Sequence, residues 1–223
     1  MRSLPLLLVL CAGLPAWAGD SSATAPYVLP PRALKNELSS SLGLLVGGYS
    51  YSGGSWDDLY AASITRGHYL FNGLTAEAGM LSLTPLERGG PRPSTSLSLR
   101  LGYTGERWSV LAGAVLQATY PSTPILTVLP SVRGLYQVGK VTLDAGLLDG
   151  VGLVPAHVGV SYGPVGLAYV LPLGARAHAR IPLSANAGIQ LEAFAFRIGT
   201  AHSALLTVGL VGNPLSSRPG AAP

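Results

Sequence analysis

The side chains with chemical reach are few and widely spaced in this chain. Its four histidines are His68, His157, His178 and His202. His202 is followed by Ser203, and serine with histidine is the pairing that acyl transfer uses. No histidine recurs at a fixed spacing from a carboxylate, and serine is an ordinary turn residue, so His202-Ser203 reads as part of a turn. His, Asp and Glu nowhere cluster with metal-ligand spacing, so no metal site is expected. Gly47-Gly48 and Gly53-Gly54 lack the Lys-Ser or Lys-Thr that completes a phosphate loop. Neither enzyme activity nor a cofactor is expected. The informative set is instead Arg66, His68, Glu77, Arg100, Arg133, Asp144 and Glu192, charges or near-charges embedded in alternating segments.

The segment 96–138 shows the elements that must position them. Leu97, Leu99, Leu101 and Tyr103 fall on one side; Ser96, Ser98, Arg100 and Gly102 fall on the other. After a turn at 104–107, Trp108, Val110, Ala112, Ala114, Leu116, Ala118 and Tyr120 make one wholly apolar side. Ser109, Leu111, Gly113, Val115, Gln117 and Thr119 make a mixed one. A period of two over this length marks strands. Tight connections are read at Asn72-Gly73, 104–107, 138–140, 163–164 and 199–200, with longer ones at 53–58, 87–95, 120–124, 153–156 and 177–186 between them. The parsing yields eleven strands, the last four being 157–162, 165–173, 188–198 and 204–211.

Charged residues make up 11% of the chain and its mean hydropathy is +0.40, too apolar for an ordinary soluble surface. The long window between Asp149 and Arg176 without Asp, Glu, Lys or Arg contains Pro155, Pro164 and Pro172. Each proline inside a helix costs about 3 kcal/mol, so that window is not a spanning helix. In lipid, an apolar chain without helices must satisfy its backbone as a closed barrel. Residues 1–18 have the form of a secretory signal, with Arg2, a short apolar core and small residues before a cleavage point after Ala18. Residues 19–38 read as a periplasmic leader, 39–212 as the barrel and 213–223 as a disordered tail. Cleavage removes Cys11, and with it disulfide and thiolate chemistry. The formal charge of +4 less Arg2 is +3, with no basic run, and nucleic acid is not an expected partner.

Alternating strands, connections sorted by length and two bands of aromatics together resemble the small outer-membrane β-barrels of bacteria, over 42–211. The resemblance implies an all-β, antiparallel up-and-down barrel. Such barrels have even strand numbers, so about ten strands are expected, with eight and twelve as alternatives. Tight turns then lie in the periplasm and longer loops outside. Tyr69, Phe71, Tyr103, Trp108, Tyr136 and Tyr162, with Phe194 and Phe196, would band one interface. Tyr49, Tyr51, Trp56, Tyr60 and Tyr120 would band the other. Trp108 to Tyr120 spans roughly 40 Å as a strand, which tilted by about 40° crosses about 30 Å of membrane.

On this frame Arg66, Glu77, Arg100, Arg133, Asp144 and Glu192 face the lumen as a salt-bridged plug, or alternatively as a charged constriction in a narrow pore. Leu111, Val115, Ile125, Leu129 and Leu135 share that side and favour a filled lumen. Arg88, Arg92, Arg176 and Arg180 are expected in outer loops, where they could hold lipopolysaccharide phosphates bidentately. Such barrels finish on an aromatic residue read by the barrel-assembly machinery, whereas strand 204–211 is followed by a tail without one. The role expected is structural or that of a narrow pore. A lipid-acting hydrolase and a secreted soluble β-sandwich are the alternatives. Oligomeric state is not readable from the sequence.

Overall fold

The computed structural model describes residues 36–47, 58–87, 93–119, 125–149, 154–184, 186–198 and 201–212. They form twelve strands: β1 (Glu37–Val46), β2 (Leu59–Phe71), β3 (Leu74–Pro85), β4 (Ser94–Thr104), β5 (Trp108–Thr119), β6 (Ile125–Val138), β7 (Val141–Asp149), β8 (Val154–Tyr162), β9 (Val165–Leu171), β10 (Leu173–Pro182), β11 (Ala187–Ile198) and β12 (Ala201–Gly212). Each pairs antiparallel with its neighbours in sequence, and β1 closes on β12 through Leu38↔Gly212 to Val46↔Ala204. Closure leaves no unpaired edge. The residues of the proposed signal, the leader up to residue 35 and the tail lie outside the described residues, whereas Glu37 and Leu38, assigned to the leader, are the first residues of β1.

Two-residue turns hold three of the hairpins at one end. Asn72 and Gly73 have φ of 48° and 85°, so both central residues are left-handed, as a turn matching the strand twist requires. Gly139 (φ 60°) opens the β6–β7 turn at its first central position, and β8–β9 turns through Gly163-Pro164. Adding a Cβ at Gly73 would also meet the Tyr103 ring. Gly73→Ala is therefore expected to cost about 1–2 kcal/mol, read as a lower urea midpoint in lipid vesicles; an unchanged midpoint would contradict the turn.

The strand count corrects the expectation of ten. The unread strand is β10. Leu171, Pro172 and Leu173 look like one apolar run, yet β9 ends at Leu171 and β10 begins at Leu173, with Val170 facing Gly174 across the hairpin. Ala175, Ala177 and Ala179 alternate with Arg176, His178 and Arg180. Basic side chains at every second position look like a polar loop, yet their period of two is that of a strand lining a polar interior. The extra strand reverses every later direction. The β10–β11 connection moves to the tight-turn end, and β11 meets β12 (Ile198↔Ala201) at the end of the longer connections.

The two faces have opposite chemistry, with the apolar one outside. Leu97, Leu99 and Leu101 on β4 are 47%, 58% and 62% exposed, while Ser96, Ser98 and Arg100 between them are buried. Outward Val110, Val132, Val158, Leu167 and Leu206 continue that apolar surface round the barrel. No monomer in water presents so large a greasy face. Tyr69, Phe71, Tyr103, Trp108, Tyr136 and Tyr162 are exposed at the tight-turn end, with the Tyr103 and Trp108 rings 5.6 Å apart. Tyr49, Tyr51, Trp56 and Tyr120 lie outside the described residues. Phe194 and Phe196 do not join the band. They share the parity of Glu192, so both point inward and are buried against each other. With Leu45, Tyr60, Leu83, Val154, Val170 and Leu205 they fill the lumen toward the loop end. Tyr60, expected at the outer interface, is likewise part of this core.

Candidate functional site: a charge belt across the lumen

Below the apolar core the interior changes to charge. Glu77 on β3 is buried and accepts from three sides: Arg100 Nη1 at 2.7 Å, His68 Nε2 at 2.5 Å and Arg133 Nη1 at 3.2 Å. Asp149, at the end of β7, takes Arg100 Nη1 at 3.0 Å and Arg176 Nη1 at 3.4 Å, with Arg133 Nε and His157 Nε2 both at 3.8 Å. Arg176 Nε donates to Glu192 Oε1 at 2.8 Å, and Arg66 Nη2 stands 3.6 Å from Glu192 Oε2. His157 Nε2 and Asp144 Oδ2 are 2.7 Å apart. Beside this net, Arg180 grips both oxygens of Glu37 at 2.8 Å.

Five of these eleven pairs reach across the lumen between strands that are not neighbours, and the other six join neighbouring strands. Arg66–Glu192 joins β2 to β11, Arg133–Glu77 joins β6 to β3, and Arg180–Glu37 joins β10 to β1. The pairs bring together five guanidiniums (residues 66, 100, 133, 176 and 180) and five carboxylates (residues 37, 77, 144, 149 and 192). The guanidiniums and carboxylates of the belt are equal in number, so their charges cancel, as a low-dielectric interior demands. Toward the tight turns it gives way to hydroxyls: Thr104 Oγ1 lies 2.7 Å from Thr75 Oγ1 and 2.8 Å from Ser109 Oγ.

Glycines make room for these side chains. Directly opposite Arg66, Arg100, Arg133 and Asp144 stand Gly79, Gly113, Gly146 and Gly159. A Cβ at Gly146 would meet the His157 ring, and one at Gly159 the Asp144 carboxylate. Having no side chain, these glycines leave space in a narrow lumen.

The structure thus joins Arg66, Glu77, Arg100, Arg133, Asp144 and Glu192 in one belt, together with Glu37, Asp149, His157, Arg176 and Arg180, to which the sequence reading gives no place in the lumen. Arg176 and Arg180 are not loop residues: on β10 they face inward and are spent on carboxylates, which corrects their assignment to lipopolysaccharide phosphates. Arg88 and Arg92 lie outside the described residues. Asp149 was missed because it is five positions from Asp144, so strict alternation sends it to the lipid side. Leu148 has φ of 51°, which breaks the alternation and turns Asp149 inward. A signal existed: a carboxylate in the lipid face is so costly that the alternation had to fail there.

His202 and Ser203 are neighbours in β12 and so point to opposite faces, Ser203 buried inside and His202 outside. A Gly-x-Ser-x-Gly sequence occurs at Gly159-Val160-Ser161-Tyr162-Gly163. In hydrolases that spelling makes a sharp strand-to-helix turn that exposes the nucleophile. Here Ser161 sits within extended β8, paired with Gly166 and Thr142.

A closed, antiparallel, twelve-stranded sheet with an apolar outside and a polar, paired inside is the fold of an outer-membrane β-barrel. No family model and no curated protein matches the sequence. Solved structures similar in fold are outer membrane phospholipase A from Escherichia coli, at 13% identity and a TM-score of 0.46, covering 84% of this chain and 99% of that one. The Salmonella typhi outer membrane phospholipase dimer with bound calcium gives 12% and 0.48, covering 87% and 94%. Neisserial surface protein A gives 11% and 0.36, covering 80% and 96%.

Proposed function

We propose that this protein is a structural barrel of the outer membrane whose lumen is closed, with the tight turns, the start of β1 and the end of β12 on the periplasmic side and the longer connections outside. Its partners in this reading are the lipids of that membrane, lipopolysaccharide included, and the machinery that inserts barrels. The observation that carries it is the set of ion pairs thrown across the lumen between β2 and β11, β3 and β6, and β1 and β10. A pore needs charges free to meet ions, whereas these are matched with one another beneath a packed aromatic and aliphatic core. Purified protein in planar bilayers is expected to give no single-channel steps. Regular steps from the unaltered protein would replace this reading with the narrow pore. The same preparation is expected to release no fatty acid from lipid A or phospholipid; release that disappears in Ser161→Ala would make it a hydrolase.

A further inference from the structure

We infer that the outward face of β9 to β12 holds a site for one phosphorylated acyl lipid of the outer leaflet, its chains in a groove floored by alanines and its phosphate on Arg197 and His202. The inference rests on the proposed membrane orientation and deepens that reading by giving one such lipid a particular site.

The floor is built across three strands in register: Ala177↔Ala193, Ala175↔Ala195 and Ala195↔Ala204. Larger outward side chains stand on either side of it. Leu44 and Leu206 rise on the β1–β12 side, Leu167 and Tyr169 on the β9 side, each between 48% and 67% exposed. The difference in side-chain length leaves an apolar groove of about 1070 Å³. That is at the top of the roughly 300–1,000 Å³ usual for small-ligand pockets, and suits a lipid with several chains better than a single chain. The Tyr169 hydroxyl donates to the Pro172 carbonyl and so holds that wall's edge at the loop end.

Charge sits where a headgroup would be. Arg197 follows Ala195 on the outward face of β11, and its register partners are Leu173 on β10 and His202 on β12. Two residues of strand separate it from the floor, roughly 7 Å. Arg197 is exposed, and guanidinium with imidazole is a donor set for phosphate oxygens. A second copy of the barrel is a poorer occupant. A two-fold contact through this groove would set the polar side chains at its loop end against their own copies, whereas a lipid phosphate accepts hydrogen bonds from guanidinium and imidazole N–H groups.

The test is native mass spectrometry of the full chain released from micelles, with bis-phosphorylated, six-chain lipid A as probe and phosphatidylethanolamine as control. The expected result is one lipid A retained per barrel at activation energies that strip phosphatidylethanolamine. Retention should fall at least tenfold both in the double variant Arg197→Ser/His202→Ser and in Ala177→Leu/Ala195→Leu, which fills the groove and leaves the charge. Equal retention in either double variant, or of phosphatidylethanolamine, would overturn the site. So would a dimer that the groove-filling variant abolishes without loss of lipid A. Heat-modifiable gel migration shows that each variant is folded, and bilayer conductance tests the closed-barrel reading independently.

Discussion

Asp149→Asn is expected to lower the unfolding free energy of the barrel by about 3–5 kcal/mol, the range for removing one partner from a buried charge pair. The substitution keeps the side chain's shape, so the loss is electrostatic. Asp149 is 2% exposed and lies within ion-pairing distance of Arg100, Arg133, Arg176 and His157. Without its charge Arg100 still reaches Glu77 and Arg176 still reaches Glu192, but five guanidiniums then face four carboxylates. Urea unfolding in lipid vesicles should show a lower midpoint at unchanged slope. A double-mutant cycle with Arg176→Gln should show coupling of about 0.5–3 kcal/mol. Glu37→Gln, which breaks a pair at the more open rim, should cost only about 1 kcal/mol. An Asn variant as stable as the parent would mean that Asp149 does not organise the belt.

Leu99→Arg tests the opposite face. Leu99 stands midway along β4 and points outward, 58% exposed. If hydrocarbon covers it, arginine should cost about 2–4 kcal/mol, falling to about 0–1 kcal/mol for Tyr103→Arg at the aromatic band. In water both substitutions would be close to neutral, because each replaces an exposed apolar side chain. The depth dependence, read from vesicle unfolding midpoints, therefore separates a barrel bathed in lipid from a soluble one. A flat series would remove the membrane reading and the lipid site with it.

Legibility followed the range of the forces involved. The inward set Arg66, Glu77, Arg100, Arg133, Asp144 and Glu192 could be read because alternation is a property of neighbouring residues. The same rule misled at Leu148, where one left-handed residue reversed it. It was also overlooked at β10, where a hairpin that turns at Pro172 left two strands looking like one. Phe194 and Phe196 were placed by their distance from a turn, although their parity with Glu192 already sent them inside.

By itself the chain's sequence determined eleven of the twelve strands, their polar and apolar sides, most of the turns and the aromatic band around Tyr103 and Trp108, because each depends on a few adjacent side chains. Only the tertiary structure decided that twelve strands close, that Asp149 joins the lumen, and that Arg176 and Arg180 meet Glu192 and Glu37. Which charges meet across a lumen is set by the number and stagger of all the strands between them. That is a sum over the whole sheet, and no local pattern contains it.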